Sequence, residues 1–191
     1  MESHYASRYY RWRKNKNDPP KDVQRYPKLT LVCHRQSHWI LGLHVCMAPV
    51  QDASLLRIVL PQTLPLVHWY RVLADKAYDC EANHILCRQG LKIHSSVIPA
   101  RRLNASSRVW VDAKGRRRAC RRWPLTHYRR QMRRRFLCRI YRQRVQIESV
   151  ISRLKCHFGI SLQARNWPAQ VRECRLRVLG HNLLMVAHAL Q

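Results

Sequence analysis

Residues 141–155 read YRQRVQIESVISRLK. Tyr141, Arg144, Glu148 and Lys155 follow one another at offsets of three, four and seven. At roughly 100° per residue, a continuous helix sets all four on a narrow arc of one face. That arc presents one acid, two cations and one phenol. A carboxylate there can hold a divalent metal, and the cations can hold phosphates. The competing reading is a solvated charged face on an arginine-rich helix. Acids are scarce in this chain, ten in 191 residues, so a glutamate set among arginines is poorly explained as surface filler. Ile140, Ile147, Val150, Ile151 and Leu154 recur beside it. The spacing predicts a helix over residues 139–158 with those five on its buried side, stopped by Gly159.

After the stop, Pro168 suits the first turn of a last helix. Its period places Leu176, Leu179, Leu183, Val186 and Leu190 on the buried side. Upstream, residues 101–144 carry sixteen Arg and one Lys against a single acid, Asp112, with Trp110, Trp123, Tyr128 and Phe136 interleaved. Such a stretch fits phosphate contacts and base stacking better than a packed core, and residues 101–135 are expected to form a basic loop region. The alternative there is a solvated basic loop without a target.

Further toward the N-terminus, a partly β-branched run over residues 28–34 and a second over 38–47 predict a β-hairpin. Asp52 is placed to cap a short helix through residue 60. An apolar run over 69–74 ends at Asp75. Asp79 is placed to cap a helix ending near Gly90, and 92–98 read as another strand. Hairpin, helix, strand, helix, strand describe an α/β fold with a mixed sheet flanked by helices. Residues 1–27, with the breaker Asp18-Pro19-Pro20, read as a basic lead-in segment. The division expected is therefore 1–27 and 28–191.

Composition narrows the partners. With 37 Lys and Arg against ten acids, the chain carries +27. Such a field favours a polyanion, above all nucleic acid. An apolar fraction of 46% separates it from a disordered basic tail. No run is long enough to span a membrane, and no signal-peptide core opens the chain. The eight cysteines show no C-x-x-C pair, which disfavours structural zinc, and a cytoplasmic, reduced setting is expected.

The Y-x2-R-x3-E-x6-K string on a helix after a mixed sheet resembles the signature of bacterial insertion-sequence transposases of the DDE type. Ala74-Asp75-Lys76-Ala77-Tyr78-Asp79 resembles the strand-ending segment that carries their second catalytic aspartate. Pro49-Val50-Gln51-Asp52 and Ser7-Arg8-Tyr9-Tyr10 add to the likeness, which covers most of the chain. The resemblance implies an RNase H-like fold and metal-dependent cleavage and strand transfer at insertion-sequence ends. It implies Mg²⁺ or Mn²⁺ held by acids, with Asp75 second and Glu148 third. Tyr141, Arg144 and Lys155 would orient double-stranded DNA. A homodimer on paired ends and a place at the bacterial nucleoid follow from the same likeness.

One position departs from the pattern. The first acid belongs near the end of the hairpin's first strand, which reads Leu29-Thr30-Leu31-Val32-Cys33-His34-Arg35. His34 fits that position best. Imidazole is neutral and monodentate, and bridges hard cations poorly. The chain is therefore expected to keep fold and DNA affinity but to be catalytically impaired, and to be truncated ahead of its lead-in. Asp52 and Asp79 read more readily as helix caps than as ligands. The second reading is a non-enzymatic basic nucleic-acid-binding protein, which needs no acids on a cationic face.

Overall fold

The computed structural model describes residues 9–12, 21–111, 113 and 117–190, with backbone alone over 9–12, 21–24, 103–111 and 117–122. It divides into two compact units. The first comprises residues 1–67 and 145–191, the second residues 68–144. Of the stretch Ser7-Arg8-Tyr9-Tyr10, the first two residues lie outside the described ones.

In the first unit, β1 (Tyr9–Trp12) pairs antiparallel with β2 (Lys21–Gln24), and β3 (Pro27–Cys33) with β4 (Ile40–Met47). The β3–β4 hairpin is the one expected at residues 28–47. Helix α1 (Asp52–Val59) follows, and buries Leu55, Leu56 and Val59. Asp52 does not cap it: Gln51 holds the N-cap position, and Asp52 in the first turn pairs with Lys28 at 2.8 Å. The unit is completed by α5 (Val145–Phe158) and α6 (Trp167–Ala189). Gly159, at φ 84°, ends α5 in the left-handed region that glycine enters without a Cβ clash. Asn166 caps α6 by accepting from the Ala169 N–H at 2.9 Å.

Ile40, Val150, Leu154 and Val178 form a core cluster with Leu31, Cys33, Leu43 and Phe158 around it. Thus α5 and α6 both pack on the β3–β4 hairpin. Two helix faces differ from expectation. On α5, Val150 and Leu154 are buried, but Ile151 is 38% exposed, and Ile140 precedes the helix. On α6 the expected leucine stripe is exposed. Gln170, Cys174, Arg177, Val178 and His181 are buried instead. These polar groups have partners: Arg177 donates to the Gly159 and Ser161 carbonyls at 2.7 and 2.6 Å, and His181 lies 3.1 Å from the His38 carbonyl. Burial of paired polar groups is tolerated, so polarity alone did not mark this face as outer.

Two glycines allow close approach. A Cβ on Gly42 in β4 would lie 2.6 Å from Thr63 Cγ2 and 3.2 Å from Val59 Cγ2. Thr63 and Val59 are fully buried and cannot yield. A Cβ on Gly180 in α6 would lie 2.8 Å from the tip of the Phe158 ring, which is only partly buried. Gly42→Ala should cost about 1–3 kcal/mol by overpacking. Gly180→Ala should be near neutral, because alanine's helix preference of about 1 kcal/mol offsets a ring that can move. Chemical denaturation of the two variants would test this order, and equal losses would contradict it.

In the second unit, β5 (Arg71–Leu73) pairs in parallel with β6 (Ser95–Val97). The crossover between them holds a 3₁₀ turn (Lys76–Tyr78) and α2 (Glu81–Ile85), which runs on as a π turn to Gly90. This is the βαβ arrangement that parallel strands require. The basic stretch is not a loop. It forms a hairpin of β7 (Leu103–Val111) and β8 (Arg117–Arg122), whose register shifts between Asn104 and Val109. Then come α3 (His127–Arg134), α4 (Cys138–Tyr141) and a 3₁₀ turn over Arg142–Arg144. The strands make a mixed α/β set, but the described residues form four two-stranded sheets rather than one mixed sheet. Strands β5 and β6 have three residues each, too few to carry a wide sheet by themselves.

Candidate active site

Asp75 follows β5 and is exposed, as a strand-end acid should be. Its Oδ1 accepts the Lys76 N–H at 2.7 Å. The same oxygen accepts the Tyr141 hydroxyl over a long 3.3 Å. Tyr141 lies beside the Phe136 ring, with centroids 5.1 Å apart, and the Arg144 guanidinium sits 5.7 Å from its own centroid. Burial and the Asp75 carboxylate hold the phenol above its ordinary value against the pull of Arg144, so it stays protonated and donates. The family resemblance implies a DNA-orienting role for Tyr141. The structure adds a link across 66 residues to the strand-end acid, for which the sequence holds no local signal.

Glu148 and Lys155 lie on α5, seven residues apart on one regular helix, and both are exposed. Tyr141 and Arg144 precede it on α4 and the 3₁₀ turn. The helical step that would place all four on one arc therefore does not run unbroken through residues 142–144.

His34 lies immediately after β3, in the hairpin loop. Its Nδ1 accepts the Ser37 N–H at 3.3 Å and meets the Ser37 hydroxyl at 2.8 Å. The ring is thus turned into its own loop through Nδ1. That loop is tied to α5 by His38, at φ 58°. The His38 Nε2 lies 2.8 Å from Gln146 Oε1, and its Nδ1 lies 2.9 Å from Arg153 Nη1. Asn182 on α6 holds both the N–H and the carbonyl of Ile40 at 2.9 Å. His34 and Glu148 accordingly belong to elements locked together in one unit, and Asp75 and Tyr141 to the other.

Asp79 is not a cap. Its side chain is fully buried and paired with Arg129, itself 8% exposed. Arg129 Nη2 donates to Asp79 Oδ2 at 2.7 Å and Nε to Oδ1 at 2.9 Å, while the Arg101 N–H adds a bond of 2.6 Å. Cys80 takes the N-cap position of α2. Glu81 accepts the N–H groups of Tyr128 and Arg129 at 2.8 and 3.1 Å, and so caps α3 from another helix. Burial raises its carboxyl, but these bonds outweigh it and hold Glu81 below its ordinary range. His84, fully buried beside Asp79, is pushed down to about 4 by desolvation, and its Nε2 has no hydrogen-bond partner.

The second unit holds 21 of the chain's 37 Lys and Arg and four of its ten acids, a net +17. Asp79 and Glu81 are spent inside it. Arg130, Arg133, Arg134, Arg135, Arg139 and Arg142 are exposed. Trp123 carries Arg102 at 4.8 Å and Arg133 at 5.1 Å from its ring centroid. This cationic, aromatic surface fits a phosphate backbone.

Among the described residues, no three His, Cys, Asp or Glu side chains form a group able to hold a metal. The donor chemistry of Asp75 and Glu148, exposed carboxylates, fits a hard divalent cation. His34 does not fit, because it offers a single nitrogen ligand where an oxygen pair is needed and its Nδ1 is already engaged by Ser37. No helix among the described residues is long and apolar enough to cross a membrane.

Residues 2–183 match the Transposase DDE domain family. No curated protein and no solved structure matches the chain significantly. A match over almost the whole chain settles the family: this chain belongs to the DDE transposases.

Proposed function

We propose that the chain binds insertion-sequence-end DNA through its basic second unit, and that its capacity for metal-dependent strand cleavage and transfer is impaired at the position of His34. The observation that carries this reading is the state of the acids. Asp75 and Glu148 are exposed carboxylates that the family resemblance assigns to the metal, whereas the residue just after β3 is a histidine whose ring is bonded to Ser37.

In this reading Asp75 and Glu148 supply oxygen ligands, and Tyr141 orients Asp75 through its hydroxyl. Arg144 and Lys155 hold phosphates of the DNA end. Bound Mg²⁺ or Mn²⁺ would activate the attacking oxygen and stabilise the leaving one. A site one carboxylate short binds such ions weakly, because each ligand charge lost weakens a hard-cation site. Two copies acting on paired ends would bring both ends under one set of basic surfaces.

Calorimetry with Mn²⁺ or Mg²⁺ on the parent chain and on His34→Asp tests the proposal. Binding by the aspartate variant alone is expected, followed by gain of DNA nicking. Equal binding by both would sink the assignment of His34 to the first acid position. Binding by neither folded protein would favour a plain nucleic-acid-binding role.

A further inference from the structure

His84 on α2 has no exposed surface, and neither does Ser96 on β6. The imidazole Nδ1 lies 2.8 Å from the Ser96 hydroxyl, whose oxygen also accepts the Arg88 Nε–H at 3.0 Å. The serine hydrogen then has Nδ1 as its acceptor, and the network assigns the neutral ring its own hydrogen on Nε2. That nitrogen has no hydrogen-bond partner, with Asp79 Oδ1 4.0 Å away. A proton on Nδ1 breaks this chain. Ser96 Oγ would receive two N–H groups, and its own hydrogen would lose its acceptor inside a closed core.

The ring is also hemmed in by spoken-for charges. Asp79 and Glu81 face it from the start of α2, Arg88 from the π turn, and Arg129 from α3. Tyr128, also on α3, has its ring centroid 6.1 Å away. Asp79 is engaged by Arg129, and Glu81 by the α3 backbone, so neither is free to neutralise an imidazolium. The same groups fasten α3. Arg88 donates to Gln131 Oε1 at 2.8 Å and lies 4.8 Å from the Tyr128 ring centroid, while Gln89 reaches the Tyr128 hydroxyl at 3.2 Å.

We propose that this cluster is an acid-labile joint, in which protonation of His84 disengages α3 from α2 and opens the second unit locally. Desolvation holds His84 at about 4 rather than the 6.5 of an open ring, with Asp79 opposing and Arg88 adding to it. A ring held below its open-state value costs nothing well above pH 6.5, and disfavours the closed form increasingly as pH falls toward 4. From about pH 7.5 to about pH 5 the equilibrium constant for opening should rise roughly 30-fold. Glu81 is held below its ordinary range and keeps its charge over that interval. The joint depends on neither the DNA nor the metal proposal.

Hydrogen exchange of the full chain at those two pH values, corrected for intrinsic rates, tests it. The reporters are the Tyr128 and Arg129 N–H groups, which Glu81 holds. In the parent their protection should fall by that factor. In His84→Asn, whose amide oxygen can accept from Ser96 but cannot titrate, they should lose far less. A parent without the loss overturns the proposal, as does a variant that loses as much as the parent. Should His84→Asn not fold, nitrogen NMR of the parent's imidazoles decides. A neutral His84 ring with its hydrogen on Nε2 is expected near pH 6, and a charged ring there overturns the proposal.

Discussion

Arg129→Ala should destabilise the second unit by about 3–5 kcal/mol, the loss that follows when one member of a buried ion pair is removed. The magnitude comes from what is left behind. Asp79 is fully buried, and Arg129 gives it three of its hydrogen bonds, leaving the Arg101 N–H at 2.6 Å. An uncompensated carboxylate in that position must take up a proton or draw in water, and both cost stability. Arg129 also reaches the Arg101 carbonyl at 3.3 Å, at the entry to the β7–β8 hairpin. Its loss should therefore loosen the attachment of the basic hairpin as well as α3. A second variant separates causes. Asp79→Leu with Arg129→Met removes both charges, and should recover most of the stability lost by Arg129→Ala. Urea unfolding of the three proteins measures this. If Arg129→Ala cost under about 1 kcal/mol, the pair would be energetically equivalent to an exposed one.

DNA affinity should fall about 10³-fold or more between 50 and 200 mM salt, the behaviour of proteins that make six to ten phosphate contacts. The net +17 of residues 68–144 and the six exposed arginines from Arg130 to Arg142 provide for that many. Removing two exposed cations, Arg130→Ser with Arg134→Ser, should lower the log–log slope by about two and weaken binding evenly across sequences. Fluorescence anisotropy on duplexes of different sequence gives both numbers. A parent slope shallower than about three would mean that the cationic surface is not the main source of affinity. Uneven weakening across sequences would place the two arginines at base edges instead.

The local signals were legible because they act over a few residues. The β-branched runs around residues 28–47 form a hairpin wherever they sit, Gly159 enters the left-handed region at no steric cost, and Pro168 has the φ of a first turn. The charge balance likewise follows from composition. Asp75 at a strand end and Glu148 on a regular helix were placed correctly as to element, because a strand end and a helical period are local patterns.

Partners distant in sequence were not legible. Asp79 has the residue type and position of a cap, and the arginine that claims it lies 50 residues away. Tyr141 meets Asp75 across 66 residues. The hairpin within the basic stretch was hidden because its arginines outweigh the strand pattern. On α6 the period pointed to the leucine stripe as the buried one, and folding buries another stripe instead. The choice fell to the stripe whose polar members, Arg177, His181 and Gln170, find carbonyls to bond. The sequence by itself determined the β3–β4 hairpin, the helix limits at Gly159 and Pro168 and the charge, because these depend on neighbours along the chain. Only the tertiary structure decided which acids are spent internally and which helix face is left bare, because those outcomes depend on partners that folding brings together.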